Sequence, residues 1–278
     1  MVSRMKNRKR DSIFEDVEKI VKEFVLNAQE ELESRWKNWE LDVALREFHE
    51  VVGGLLARQT TLAIQIARNP LLWNGHGAPV LLRAMADVYI NLAWIFGDAA
   101  ERPRKFILYG LGQIKLYLEH RKALRENRPL DPQEEAYVRG VEDWIQSQRV
   151  LEMTDVNLGS WAEITTRKMA EEAGCLDFYN YVYIPFSWAS HSMWPHVEQS
   201  NLKPCQNPLH RPHRIPHVEE AGINPLYLHL AAKYLGKAFS LFDEKTGVRA
   251  EVPSALHILE RRFEAFAEKK RKKNAPRR

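Results

Sequence analysis

Two short sets of polar side chains stand on otherwise apolar stretches of this sequence. In Pro79–Phe96, PVLLRAMADVYINLAWIF, Arg83, Asp87 and Asn91 recur at i, i+4 and i+8 and form one stripe on a helix. In Tyr179–His196, YNYVYIPFSWASHSMWPH, helical spacing puts Asn180, Tyr183, Ser187, Ser190, His191 and Trp194 on one face. Ser187 and His191 are one turn apart, so hydroxyl and imidazole are within hydrogen-bonding reach. His191 is the candidate general acid/base, because only imidazole titrates near neutrality unaided. Arg83 is the candidate phosphate holder, since its guanidinium is always charged and donates in a fork. Asp87, Tyr183 and Ser187 are the candidate supporting groups, and Asn91 and Asn180 the candidate substrate contacts. The blander reading is a pair of core helices whose polar groups satisfy one another. If the two stripes face each other across an open cavity, the site suits an anionic ligand such as RNA or a nucleotide. A closed, self-satisfied cluster favours a non-catalytic protein instead.

Other chemistries are less well served. Ser187 lies inside a helical pattern, without the nucleophile elbow or Gly-rich oxyanion loop of a Ser-His-Asp hydrolase. Cys205, His210, His213 and His217 are a weak candidate metal set. Three prolines interrupt them, and their spacing matches no zinc signature. No GxxxxGK[ST], GxGxxG, HExxH or paired ExxH occurs, so the sequence assigns no cofactor and no metal.

The helix RAMADVYINLAWIF, followed much later by a Tyr-rich segment ending SWASH, resembles a bacterial all-helical family, domain of unknown function fifty-six seventy-seven. The resemblance covers roughly residues 40–200. That family's pattern has an Arg then an acid on one helix, and a Ser then a His on a later one. Arg83, Asp87, Ser187 and His191 fill those places, with Asp87 where the family more often has Glu. The resemblance brings no established activity. A looser likeness is to the HEPN-type helical ribonucleases of toxin and defence systems, which set Arg and then His on one helix. Here that spacing occurs only at Arg211 and His217, in a proline-rich loop.

The elements that must position these residues read as helices throughout. Ser12 and Glu15 have capping-box spacing ahead of a helix over 11–38, with an apolar stripe through Phe24 and Ala28. A second helix runs over 41–68, where Gly53-Gly54 allows a bend or close packing, and Asn69-Pro70 stops it. After Pro79–Phe96 come helices over about 102–126, 131–151 and 158–173, then the aromatic stretch at 176–197. Residues 202–222 form one long irregular segment, and a loop of that length is usually functional or disordered. Asn224-Pro225 and Pro253-Ser254 open the last two helices. The fold class is all-α, a single domain over 11–266 of about eight or nine helices between basic, disordered tails at 1–10 and 267–278.

Composition bounds the rest. The 278 residues are 45% hydrophobic and 28% charged, with eight tryptophans, enough for a substantial core. The best membrane candidate is Pro79–Phe96, and it carries Arg83, Asp87 and Asn91, so the expectation is no membrane span. Two cysteines and no signal-peptide core point to a cytoplasmic protein. Residues 1–10 carry +5 and residues 268–278 carry +6, whereas the whole chain is only +4, so the body between them holds −7. Basic ends of this kind contact nucleic acid or another polyanion, or remain solvated. The sequence ranks first an RNA- or nucleotide-directed protein with a polar inter-helix pocket, working by metal-independent hydrolysis in a defence (antiphage) or toxin-like role. The alternative is a non-catalytic adaptor that binds a partner or nucleic acid through its basic ends. Whether the chain is an enzyme stays open, and a homo-oligomer is compatible with either.

Overall fold

The computed structural model describes residues 2–123, 131–147, 160–218 and 221–274. Among these the architecture is all-α. Helix α1 (Val2–Asn38) leads, then α2 (Arg46–Arg68), α3 (Ala78–Ile95), α4 (Glu101–Ala123) and α5 (Pro132–Ser147). Short helices α6 (Thr166–Glu172), α7 (Leu176–Phe178), α8 (Ile184–Ser190) and α9 (Trp194–Asn201) follow, and α10 (Leu226–Thr246) and α11 (Ala255–Asn274) close the chain.

The helices begin and end where local chemistry demands it. Asn74 Oδ1 accepts from the His76 and Gly77 N–H groups, and Pro79 occupies the first turn of α3, where its missing N–H costs nothing. Thr165 caps α6 by accepting from Lys168 N at 3.2 Å. The helix expected from 158 therefore starts later, and residues 158–159 lie outside the described residues. Asn224 Oδ1 accepts from Leu226 N at the start of α10, and Gly247 ends it at φ 74°, a conformation glycine adopts at no steric cost.

Helix α3 is the hub. It packs on α2, α6, α8 and α10. Leu82, Met85, Ala86, Ile90, Leu92 and Ile95 are fully buried, and each large side chain among them contributes about 1.5–3 kcal/mol of burial. By length and apolar composition α3 could cross a bilayer, but 72% of it is buried inside the protein, as in a core helix. Trp73 lies beneath its start, donating from Nε1 to Ile66 O at 2.7 Å. Gly53 allows close packing: a Cβ there would collide with the Trp36 ring, while one at Gly54 meets nothing within 4 Å.

Helices α1 and α11 run antiparallel. Asp16 pairs with Lys269, Glu23 with Arg262, and Glu31 Oε2 accepts from Ala255 N at 2.8 Å. Rising numbers on α1 thus meet falling numbers on α11. Helix is described from Val2 in α1 and as far as Asn274 in α11, and residues 1 and 275–278 of the two basic segments lie outside the described residues. A second charged cluster pins α1 to α10. Arg35, 6% exposed, grips Asp243 at 2.6 and 2.9 Å, holds Glu31 at 3.1 Å and lies 4.2 Å from the centre of the Phe239 ring.

Part of the segment read as irregular is a hairpin. Strands β1 (Leu202–Pro204) and β2 (Arg214–Pro216) pair antiparallel, with Leu202 opposite Pro216 and Pro204 opposite Arg214. An ion pair from Arg214 to Glu198 ties the hairpin to α9.

Candidate functional site

The two polar stripes do meet, at the contact of α3 with α8. Arg83 projects from α3 and is 8% exposed. Its Nε donates to Ser187 Oγ at 2.7 Å, its Nη1 is ion-paired with Asp87, and its guanidinium lies 3.3 Å from the centre of the Tyr183 ring. Ser187 Oγ in turn donates a hydrogen bond to Tyr183 O at 2.7 Å. The buried hydroxyl is thus used as donor and as acceptor. The Tyr183 phenol reaches Thr166 Oγ1 at 3.5 Å, and Tyr179 stacks on the Tyr183 ring with centroids 4.7 Å apart.

The backbone around Tyr183 explains why its stripe differs from a straight helix. Pro185 has no N–H to donate. Just before it, the Ile184 N–H reaches back five residues to Tyr179 O, so residues 179–183 form a π turn. Seven residues later the helix stops in a Schellman motif. Met193 N bonds Trp188 O at 2.9 Å and Ser192 N bonds Ala189 O at 3.3 Å, with Ser192 left-handed at φ 49°. The single face drawn from Asn180 to Trp194 is therefore broken twice, and Trp194 starts a new helix.

His191 is the residue most displaced from expectation. It sits at the C-cap of α8, and its side chain is exposed. Its backbone N–H bonds Ser187 O, but the Ser187 hydroxyl faces Arg83 and Tyr183 instead of the imidazole. The hydroxyl–imidazole pair read from i, i+4 spacing is not formed. Asp87 lies between the buried and open parts of the cluster, with its side chain 43% exposed. Burial pushes its carboxyl above the ordinary range, while Arg83 and, more weakly, His191 pull it back. Burial likewise raises the Tyr183 phenol. Asn91 is half-buried one turn beyond Asp87, and Asn180 is exposed in the π turn. Neither side chain bonds to the Arg83 cluster.

The arrangement bears on what chemistry is available. Ser187 is enclosed and its proton is committed to a carbonyl, so it is not placed as a nucleophile. The Arg83 charge is balanced by Asp87 at contact, which leaves no surplus charge for a phosphate. Of the predicted catalytic set, Asp87 is part-exposed and His191 exposed.

The family of unknown function DUF5677 matches residues 49–207. The chain belongs to this family. The DUF5677 span contains α3, α8 and every member of the Arg83 cluster, and it ends inside the hairpin loop, two residues beyond Cys205. No curated protein matches the chain, and no solved structure does. DUF5677 membership thus comes with no activity attached. Arg211 and His217 flank β2 and do not share a helix, unlike the HEPN pattern.

The loop set is partly assembled. Cys205, His210 and His213 bring their ligand atoms within 4.8 Å of one another, whereas His217 lies at the other end of the hairpin, its N–H on Asn201 O. Sequence reasoning passed over Arg35 altogether. The Glu31–Arg35 spacing of i, i+4 was a readable local signal, but Arg35's partner Asp243 is 208 residues away, so local spacing could not reveal the full cluster.

Proposed function

We propose that this chain is a helical adaptor that binds RNA or another nucleic acid through its basic ends, with the Arg83 cluster holding the fold together. The observation that carries this reading is the enclosure of Arg83. A phosphate-holding arginine needs a free fork facing solvent, and here Nε and Nη1 are occupied and the side chain is buried.

The choice of partner rests on charge and register. Because Asp16 pairs with Lys269 and Glu23 with Arg262, residues 2–15 of α1 and 270–274 of α11 belong to one end of the bundle. Of the described residues there, 2–10 carry +5 and 268–274 carry +4, against −7 for the body between 11 and 267. A polyanion would be drawn there and repelled elsewhere, which orients binding without any base contact.

A second reading retains RNA- or nucleotide-directed, metal-independent hydrolysis, in a defence or toxin-like role in a bacterial cytoplasm. Two observations favour it. Asp87 feels the charge of His191 at the open edge of the cluster, and Tyr181 and Trp194, two residues from Tyr183 and three from His191 in the chain, are 79% and 66% exposed, as base-stacking side chains would be. The readings separate in one assay, in which an end-labelled single-stranded RNA is incubated with the full chain in chelator. The adaptor retains intact RNA. Cleavage that disappears in His191→Ala, with binding unchanged, would replace it by the hydrolase.

A further inference from the structure

The hairpin loop holds a cluster that the Arg83 site does not use. Cys205 leaves β1, and its N–H bonds His213 O at 3.0 Å across the loop. His213 N in turn bonds His210 O. These backbone bonds fold residues 205–213 back on themselves and set one thiol and two imidazoles side by side. Cys205 Sγ is 3.8 Å from His210 Nδ1, and the ligand atoms of all three residues lie within 4.8 Å of one another. A tetrahedral zinc ion, with Zn–S of about 2.3 Å and Zn–N of about 2.0–2.1 Å, separates a sulfur and a nitrogen ligand by roughly 3.5 Å. The observed pair is close to that spacing, and His210 and His213 are exposed, so their side chains have room to close the remainder.

We infer that Cys205, His210 and His213 form a three-ligand site for zinc(II), with a fourth position open to water or to an incoming ligand. The donor set suits a borderline-soft divalent ion, and hard magnesium or calcium would prefer oxygen ligands. On binding, the Cys205 thiol gives its proton to solvent, and the thiolate and two neutral imidazoles take the metal. Coordination through His210 Nδ1 leaves Nε2 protonated. Asn207 Nδ2 now stands 3.1 Å from Nε2 while its Oδ1 accepts from Leu209 N, so on metal binding the Asn207 amide turns its Oδ1 to accept a hydrogen bond from Nε2–H and gives up Leu209 N. His217 plays no part, since the hairpin register places it beyond β2, opposite Asn201. The inference is independent of the adaptor reading, because the loop and the basic ends share no residue.

The test uses the full chain, reduced and stripped with chelator, then titrated with Zn²⁺ alone and separately with Co²⁺. The expected result is one zinc per chain and a thiolate-to-cobalt charge-transfer band. Cys205→Ser loses that band. His210→Ala and His213→Ala each weaken zinc by more than the roughly tenfold that losing even an outer-shell partner costs, and His217→Ala binds as the parent does. Melting curves of the metal-free variants that overlay the parent's keep a folding defect apart from a binding one. The inference is overturned if the parent takes up no zinc at stoichiometric concentration. It is equally overturned if Cys205→Ser binds as tightly as the parent, or if His217→Ala weakens binding as much as His210→Ala does.

Discussion

Replacing Arg83 should cost stability on a scale that separates a structural arginine from a ligand-binding one. The side chain is 10% exposed and makes three interactions that a shorter residue loses together. The charged hydrogen bond from Nε to Ser187 is worth about 1.5–3 kcal/mol. The stack on Tyr183, largely desolvated, adds about 1–2 kcal/mol. The ion pair with Asp87 counts for less, about 0.5–1 kcal/mol, because that carboxylate is 43% exposed and screened by water. These do not add in full, since one side chain is ordered once for all three. For Arg83→Ala the expectation is a loss of about 3–5 kcal/mol, the size typical of breaking a buried pair, and a melting point lower by on the order of 10 °C for a chain of this length. Arg83→Lys keeps the charge but neither the Nε donor nor the flat stack, and should fall between, at about 1–2 kcal/mol. Urea titration followed by circular dichroism measures both. A loss under about 1 kcal/mol for Arg83→Ala, in a protein that keeps its helix content, would refute the argument. It would mean that the guanidinium is held for a ligand and not for the fold.

Ser187→Ala removes the acceptor for Arg83 Nε and the donor to Tyr183 O, and should cost about 1–3 kcal/mol in the same titration. His191→Ala should cost less than about 0.5 kcal/mol, because the imidazole is exposed and Ser187 does not bond to it. Asp87 has a raised pKa, so the folded state binds its proton more readily than the unfolded one. Stability linked to that proton is fully present below the ordinary aspartate range and declines as pH rises through the raised value. Parent-minus-Asp87→Asn stability, followed by melting at a series of pH values, should therefore fall as pH rises through that window, and a rise would contradict the assignment. Arg35→Ala should be at least as damaging as Arg83→Ala, since Asp243 and Glu31 lose a partner at 2.6–3.1 Å and burial already raises the Glu31 carboxyl.

Much of the fold was legible because punctuation in this sequence is local. Pro79, Pro132, Asn69-Pro70 and Asn224-Pro225 mark helix ends through φ restriction and lost N–H groups, and the helices lie where those signals put them. The i, i+4 relation of Arg83 to Asp87 was readable for the same reason. That Ser187, 104 residues away, would complete the cluster could only be surmised from both stripes being polar on apolar ground. What stayed hidden lacked a local mark. The Schellman stop after Ser190 has serine, not glycine, at its left-handed position, so nothing in SWASHS announced it. The π turn follows from Pro185, but proline in a helical pattern signals only a break, not the one-residue slip that results. The hairpin was missed because its strands are three residues long and each ends in proline, which argues against a strand on sequence alone.

Nucleic acid held at the basic ends, and not at His191, is what makes this chain an adaptor. The direct measurement is the salt dependence of binding to a labelled single-stranded RNA by fluorescence anisotropy. Four proteins are compared: the parent, a variant with Arg4, Lys6, Arg8, Lys9 and Arg10 neutralised, one with the basic residues beyond Lys269 neutralised, and His191→Ala. Each phosphate contact contributes about 0.7 to the slope of log affinity against log salt for a single strand. The account predicts a shallower slope and weaker binding when either end is neutralised, and a parent-like curve for His191→Ala. Binding that ignores both ends and is lost with His191 would contradict it.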